Sequence, residues 1–251
     1  MSAARTAGFF TLGVPPEKYH LPHPRLGLPV ILLIRRVLLR AFELLREQSF
    51  NLAQADEDDI TTALRSVIEN NLRQSGEVRG FNKRSFDFAS RQGQWANYNG
   101  SVLTKTPDLF FKLRDDDSSR GAVLSEFDGL FIEAKPVDST HSAGGRYCDD
   151  GLIRFVRGDY AWAMQEAMML GYARNRRTIA EHLLPAMRET SRIKSLQTEE
   201  HPKPLRASSA AATKVAEAVH VSRHRRGFPW LHGKGEATPI DIFHIWCSCE
   251  S

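Results

Sequence analysis

Apolar residues recur every three or four positions in two segments near the start of the chain, which predicts two amphipathic helices. The first covers residues 28–48. The second covers about residues 57–74, with acidic residues in its first turn, where the helix dipole favours them, and Gly76 just past its end. Prolines in residues 1–27 favour an extended lead-in there and not a domain.

Short apolar runs bounded by turn residues predict β-strands. Two such runs lie on either side of a polar turn at residues 114–121, so we expect them to pair as a hairpin. Two more runs near the end of the chain are separated by a loop and are also expected to pair. The predicted strands are residues 109–111 and 129–135, a strand that contains Phe86 and Phe88, and residues 219–226 and 239–249.

The remaining segments are predicted as helices and loops. Residues 160–174 are apolar nearly all round, which is typical of a helix buried against a sheet, and Asp159 can serve as its N-cap. The other predicted helices cover residues 178–193 and 210–218, and the predicted loops cover residues 138–151 and 197–209. Together these elements favour an α/β fold (α+β, with a mixed sheet). We divide it into a lead-in and helix over residues 1–56 and a larger domain over residues 57–251, whose core is residues 57–175.

The composition, with 41% hydrophobic and 25% charged residues, is that of a globular protein. A net charge of +4 and a pI near 9.0 favour an anionic partner such as nucleic acid. Three cysteines without a CxxC pair indicate no disulfide framework and fit a reducing cytoplasm. Arginines interrupt the apolar run at residues 28–45 too often for a membrane span, so we predict a protein with no membrane segment.

The candidate chemistry lies on the predicted hairpin. Side chains alternate faces along a strand, so Glu133 and Lys135 share one face, and pairing of the two strands can bring Asp108 near Glu133. Asp108 and Glu133 are suited to hold Mg²⁺, which takes oxygen ligands. Lys135 is suited to orient an attacking water or to stabilise charge on a phosphoryl group. Asp128 is a rival ligand if Gly129 marks a bulge that turns it toward Glu133.

Basic residues near these positions are candidates for substrate binding. Arg84 lies in a segment where basic and aromatic side chains interleave, a pattern that can hold phosphates and stack bases. Arg146 lies in the predicted loop after Lys135, and Arg154 and Arg157 follow it. The simpler alternative for each of them is a solvated surface residue.

Pro107-Asp108 followed by Glu133-Ala134-Lys135, each on a predicted strand, resembles the PD-(D/E)xK nuclease superfamily. The resemblance covers roughly residues 57–175. It implies a restriction-endonuclease-like fold, with a central mixed sheet flanked by helices and here an N-terminal helical extension. It also implies a hydrolase that cuts phosphodiester bonds, with Asp108 and Glu133 as metal ligands and Lys135 as the catalytic lysine.

Members of this superfamily often carry a Glu on the helix before the sheet and a Gln or Arg on the helix after the motif strands. Glu69 and Gln165 lie in those regions here. Glu69 nevertheless points away from the buried stripe of its own helix at 100° per residue. Restriction enzymes and repair nucleases belong to the superfamily, so the resemblance also indicates a restriction or antiphage defence system.

The sequence therefore predicts a cytoplasmic, metal-dependent endonuclease that uses Mg²⁺, with Mn²⁺ as a substitute. DNA is the expected substrate and RNA stays an alternative, and the partners expected are a protein of the same system or a second copy of the chain. The other function that the sequence leaves open is a non-catalytic protein on a degenerate nuclease fold, which binds nucleic acid or a partner. A P-loop and a GxSxG elbow are both absent from the sequence.

Overall fold

A mixed β-sheet is the centre of the fold in the computed structural model, which describes residues 21–82, 86–90, 93–113, 127–205, 219–230 and 233–250. Within these ranges the sheet has seven strands in the order β1-β2-β3-β4-β7-β6-β5. The strands are β1 (Phe86–Ser90), β2 (Leu109–Leu113), β3 (Gly129–Val137), β4 (Glu166–Ala173), β5 (Thr198–Pro204), β6 (His220–His224) and β7 (Ile240–Ser248). The mixed sheet with helices that the sequence predicts is confirmed.

Helices precede the sheet and connect its strands. The α-helices are α1 (Leu28–Glu47), α2 (Glu57–Val67), α3 (Arg73–Ser75), α4 (Ile153–Arg157), α5 (Leu184–Met187) and α6 (Thr190–Ser195). Three wider, π-helical stretches extend them, π1 (Ile68–Leu72), π2 (Ala143–Leu152) and π3 (Ile179–Leu183). No helix in the described ranges combines the length and the apolar character that crossing a bilayer requires.

Both N-terminal helices agree with the prediction. Asp56 caps α2 by accepting a hydrogen bond from the Asp59 backbone N–H at 2.7 Å, and Gly76 ends the helical segment in a left-handed conformation with φ 68°. Helix α1 packs on α2 and on β7, and its buried face belongs to the same hydrophobic core as the sheet. The first 20 residues of the predicted lead-in lie outside the described ranges.

The predicted hairpin is confirmed as an antiparallel pair of β2 and β3, in which Leu109 lies opposite Ile132. Its connecting turn at residues 114–121 lies outside the described ranges, as does the predicted helix at residues 210–218. The terminal pair is also confirmed, because β6 and β7 run antiparallel, with His220 opposite His244.

The predicted helix over residues 160–174 is wrong, since residues 166–173 form β4. This strand is parallel to both of its neighbours, β3 and β7, and all of its residues are buried. A central strand covered on both faces has the same all-round apolar pattern as a buried helix. Gly171 was the signal in the sequence for a strand, because a glycine inside an apolar run can mark a close approach of a neighbouring strand. A Cβ at Gly171 would lie 2.4 Å from Trp246 Cδ1 on β7.

Three further predictions change. Residues 143–157 of the region after β3 form π2 and α4, where the sequence predicted a loop up to residue 151. The predicted loop over residues 197–209 contains β5, an edge strand with two prolines. The predicted helix over residues 178–193 divides into π3, α5 and the start of α6, with a break near Arg188.

Candidate active site

The ammonium of Lys135 lies among oxygen atoms from three carboxylates and one backbone carbonyl. Nζ is 2.5 Å from Glu57 Oε1, 2.7 Å from the Ala134 carbonyl oxygen, 2.9 Å from Glu133 Oε1 and 3.4 Å from Asp108 Oδ2. Only 3% of the Lys135 side chain is exposed, so these contacts lie in a largely water-excluded position. This cluster is the candidate active site.

The register of the hairpin brings the predicted residues together. Asp108 directly precedes the Leu109–Ile132 pair and so lies opposite Glu133. Its Oδ2 accepts a hydrogen bond from the Ala134 N–H at 2.7 Å, which fixes the carboxylate against β3. Glu133 and Lys135 contact each other on one face of β3, as strand alternation requires. The sequence therefore predicted the grouping of Asp108, Glu133 and Lys135 correctly.

Glu57, the first residue of α2, also belongs to the cluster, although the sequence analysis did not predict it. Besides Lys135, its carboxylate contacts the Arg146 guanidinium, with Oε2 3.3 Å from Nη2. Helix α2 packs on β3, so its capped first turn is held over the strand that carries Lys135. An acidic residue in a first turn has an ordinary explanation in the helix dipole, and for this reason it gave no functional signal.

Glu133 is fully buried and is held by cationic and hydroxyl groups. The Arg154 guanidinium lies 2.8 Å from Oε1, and the Tyr160 hydroxyl donates to Oε2. The contacts of Oε1 with Lys135 and Arg154 are between charges, and neither has the geometry of a hydrogen bond. The buried Oε1 of Glu133 therefore accepts no hydrogen bond from any described residue.

Burial and neighbouring charges shift the pKa values of the cluster. Burial, followed by the negative charge of Asp108, raises the pKa of Glu133 to about 7. Burial also raises the pKa of Asp108, although the charge of Lys135 opposes this. Burial alone lowers the pKa of Lys135, but the adjacent carboxylates outweigh it, so that the net shift is upward and the ammonium is retained.

Other predicted site residues lie elsewhere. The carboxylate of Glu69 binds Arg73, at 2.7 and 2.8 Å, and accepts a hydrogen bond from the Ala89 N–H at 2.6 Å, so it braces β1. Gln165 precedes β4, and its side-chain amide donates to the His23 carbonyl at 2.8 Å. Since Glu133 lies opposite Met169, Gln165 is about 13 Å from that level along the strand. Neither residue contacts the cluster.

The remaining candidates divide in the same way. Asp128 lies at the far end of β3, about 16 Å along the strand from Glu133, and the regular β2–β3 ladder has no bulge that would turn it toward the site. Arg146 and Arg154 lie in the cluster, bound to its carboxylates. Arg157 is exposed, and Arg84 falls outside the described ranges.

Mg²⁺, which the resemblance implies, requires a set of hard oxygen donors. The oxygens of Asp108, Glu133, Glu57 and the Ala134 carbonyl surround a single point, and the undirected Oε1 of Glu133 suits a cation. The ammonium of Lys135 lies at that point, and across the described residues no three His, Cys, Asp or Glu side chains form a metal-binding group. The oxygen donors fit Mg²⁺ in their chemistry, and the ion would have to replace the Lys135 ammonium among them.

No protein-family model matches the chain, and neither the curated proteins nor the solved structures contain a significant match.

Proposed function

We propose that the chain is a metal-dependent nuclease that hydrolyses phosphodiester bonds of DNA. The observation that carries the proposal is the convergence of Asp108, Glu133 and Lys135 on one buried point of the sheet, with Glu57 added from a helix. Two acids and a lysine at the meeting of two strands are the residues that the resemblance to PD-(D/E)xK nucleases implies. The helix before the motif strands and the helix after them also agree with that resemblance.

The chain's own residues have distinct roles in this proposal. Asp108, Glu133 and Glu57 would hold Mg²⁺, which when bound lowers the pKa of a water molecule and neutralises charge on the phosphate. Lys135, released from the carboxylates, orients the attacking water with its ammonium and stabilises the charge that develops on the phosphate. Tyr160 holds Glu133 in place through its hydroxyl.

Arg146 and Arg154 are suited to bind the substrate phosphates. Each guanidinium contacts a carboxylate of the cluster, yet 44% and 38% of their side chains are exposed, so both border the buried site and the solvent. A guanidinium presents paired donors that match phosphate oxygens. Arg154 also lies on the helix after β3, where the resemblance implies a Gln or Arg, so it takes the role predicted for Gln165.

Cleavage of plasmid and single-stranded DNA, measured with Mg²⁺ or Mn²⁺, tests the proposal. We expect Asp108→Asn and Lys135→Met each to abolish cleavage, whereas Lys203→Met, which changes an exposed lysine on β5, leaves it unchanged. Cleavage that persists in both cluster variants would overturn the proposal. RNA substrates in the same assay decide between the two nucleic acids.

One observation favours a second candidate, a non-catalytic protein that binds nucleic acid on a degenerate nuclease fold. The three carboxylates of the cluster are matched by the three cations of Lys135, Arg146 and Arg154, so the cluster is electrically balanced without a metal ion. Calorimetric titration with Mn²⁺ separates the candidates. Absence of metal binding together with salt-sensitive DNA binding supports the second one.

A further inference from the structure

A short hairpin directly before Asp108 presents apolar side chains to solvent. Trp95 and Lys105 exchange backbone hydrogen bonds of 2.8 and 2.9 Å at its base. Nearer the tip, the Asn97 N–H donates to the Val102 carbonyl at 2.9 Å, and the Asn97 side chain accepts from the Val102 N–H at 3.1 Å. Val102 and Leu103, 39% and 48% exposed, are the only large apolar residues of the described ranges that are exposed.

The hairpin is firmly attached to the protein. The Tyr98 ring stacks on Phe228 with 4.4 Å between centroids, and the Tyr98 N–H donates to the Gly158 carbonyl at 2.9 Å. Lys105 forms an ion pair with Asp159 at 3.0 Å. The exposed apolar pair therefore projects from a fixed support.

That support adjoins the candidate active site in the chain. Asp159 directly precedes Tyr160, whose hydroxyl donates to Glu133. Leu103 is five residues before Asp108, so their Cα atoms are at most about 18 Å apart. One stretch of about five base pairs spans this distance, because DNA rises about 3.4 Å per base pair.

Resting on the proposed function, we infer that Val102 and Leu103 form a wedge that inserts between base steps of double-stranded DNA beside the site of cleavage. Apolar side chains inserted in this way unstack a step and bend the duplex. The flanking Ser101 and Thr104 are exposed and carry hydroxyl groups that suit phosphate contacts. The substrate class is therefore a duplex, which the protein bends as it binds.

The charge and the size of the surface favour DNA over a protein partner. Arg157 is exposed beside Gly158, to which the hairpin is bonded, and it has no ion pair with any described residue. The surface that two side chains can bury is far smaller than the roughly 800 Å² per partner that a stable protein interface buries. The net charge of +4 also favours a polyanion.

The test compares the wild-type chain with a double variant, Val102→Ser with Leu103→Ser, in Ca²⁺ to prevent cleavage. The probes are a short duplex that contains a fluorescent adenine analogue and the matching single strand. We expect the double variant to lose about tenfold in duplex affinity, together with the fluorescence increase that unstacking causes, and to bind the single strand like wild type. The conservative variant Leu103→Met should keep both signals.

Two results would overturn the wedge. One is a double variant that keeps wild-type duplex affinity and fluorescence. The other is a double variant whose molar mass in light scattering differs from that of the wild-type chain while its DNA binding is unchanged. That result would assign Val102 and Leu103 to contact with another copy of the chain. Cleavage in Mg²⁺ is measured separately, so a wild-type chain that binds and unstacks the duplex without cutting it contradicts the proposed nuclease and leaves the wedge standing. Circular dichroism checks that each variant is folded.

Discussion

Lys135 Nζ lies 2.5 Å from Glu57 Oε1, which ties the central lysine of the sheet to the first turn of α2. These residues are far apart in the sequence, and the contact links α2 to the hairpin that carries the rest of the cluster. Helix α2 thus adds a third carboxylate, that of Glu57, to the two that the hairpin places around Lys135.

We predict that Glu57→Gln weakens both Mn²⁺ binding and cleavage by about a hundredfold, because it removes one of three carboxylates at a buried cation position. Calorimetry and single-turnover cleavage measure the two effects. Asp59→Asn is the matched control, since it removes an exposed charge from the same helical turn. Equal losses in the two variants would assign the effect to the helix dipole and not to the site.

Tyr160→Phe is expected to raise the pKa of Glu133, because the Tyr160 hydrogen bond stabilises the ionised carboxylate. Glu133 titrates near neutral pH, so the acidic limb of the cleavage profile should move to higher pH, with little change on its alkaline side. NMR titration of the metal-free chain with labelled glutamate checks the shift directly. Tyr147→Phe, which changes a buried tyrosine bonded to His244, should leave the pKa of Glu133 unchanged.

Gly151→Ala tests how closely π2 packs over the site. A Cβ at Gly151 would lie 2.8 Å from Met169 Cε and 3.2 Å from Lys135 Cγ. Alanine favours helix by about 1 kcal/mol over glycine, which offsets the cost of these close contacts, so we expect little change in Tm. We expect a clear loss of cleavage, because the contact displaces Lys135. Gly145→Ala, in the same helix but only against Ser142, should keep its activity. Unchanged cleavage in Gly151→Ala would show that Lys135 tolerates the shift.

The sequence predicted the parts of the site that depend on local pattern. Strand alternation and a hairpin suffice to bring Asp108, Glu133 and Lys135 together, because each relation is set within one strand or one strand pair. Glu57 and Tyr160 could not be predicted in this way. Their contacts depend on how α2 and the turn before β4 pack on β3, and packing of distant segments leaves no periodic signal in either segment.

The error over residues 160–174 has the same physical origin. A strand buried on both faces needs apolar residues at every position, so it loses the alternation that identifies a strand. For the same reason the position of Gln165 was predicted wrongly. The sequence predicted it on a helix, and the structure places it just before β4. Arg154 reaches Glu133 from α4, which begins just after the loop predicted at residues 138–151.

The buried histidines of β6 and β7 provide a test of stability against pH. His224 donates from Nδ1 to the Leu196 carbonyl at 2.8 Å and pairs through Nε2 with Ser222, which also pairs with His244. Burial lowers the pKa of His224 from 6.5 to about 4. Between pH 6.5 and about pH 4 the imidazole of His224 is therefore protonated in the unfolded chain and neutral in the folded chain.

The free energy of unfolding should thus fall as the pH drops from 6.5 to 4, by about 3 kcal/mol from His224 alone. His224→Asn keeps a donor for the Leu196 carbonyl but cannot take up the proton, so its stability should depend less on pH in this window. Denaturant unfolding of both proteins at several pH values measures the difference. Parallel curves for wild type and variant would mean that His224 is protonated in the folded chain, against the burial that the structure assigns to it.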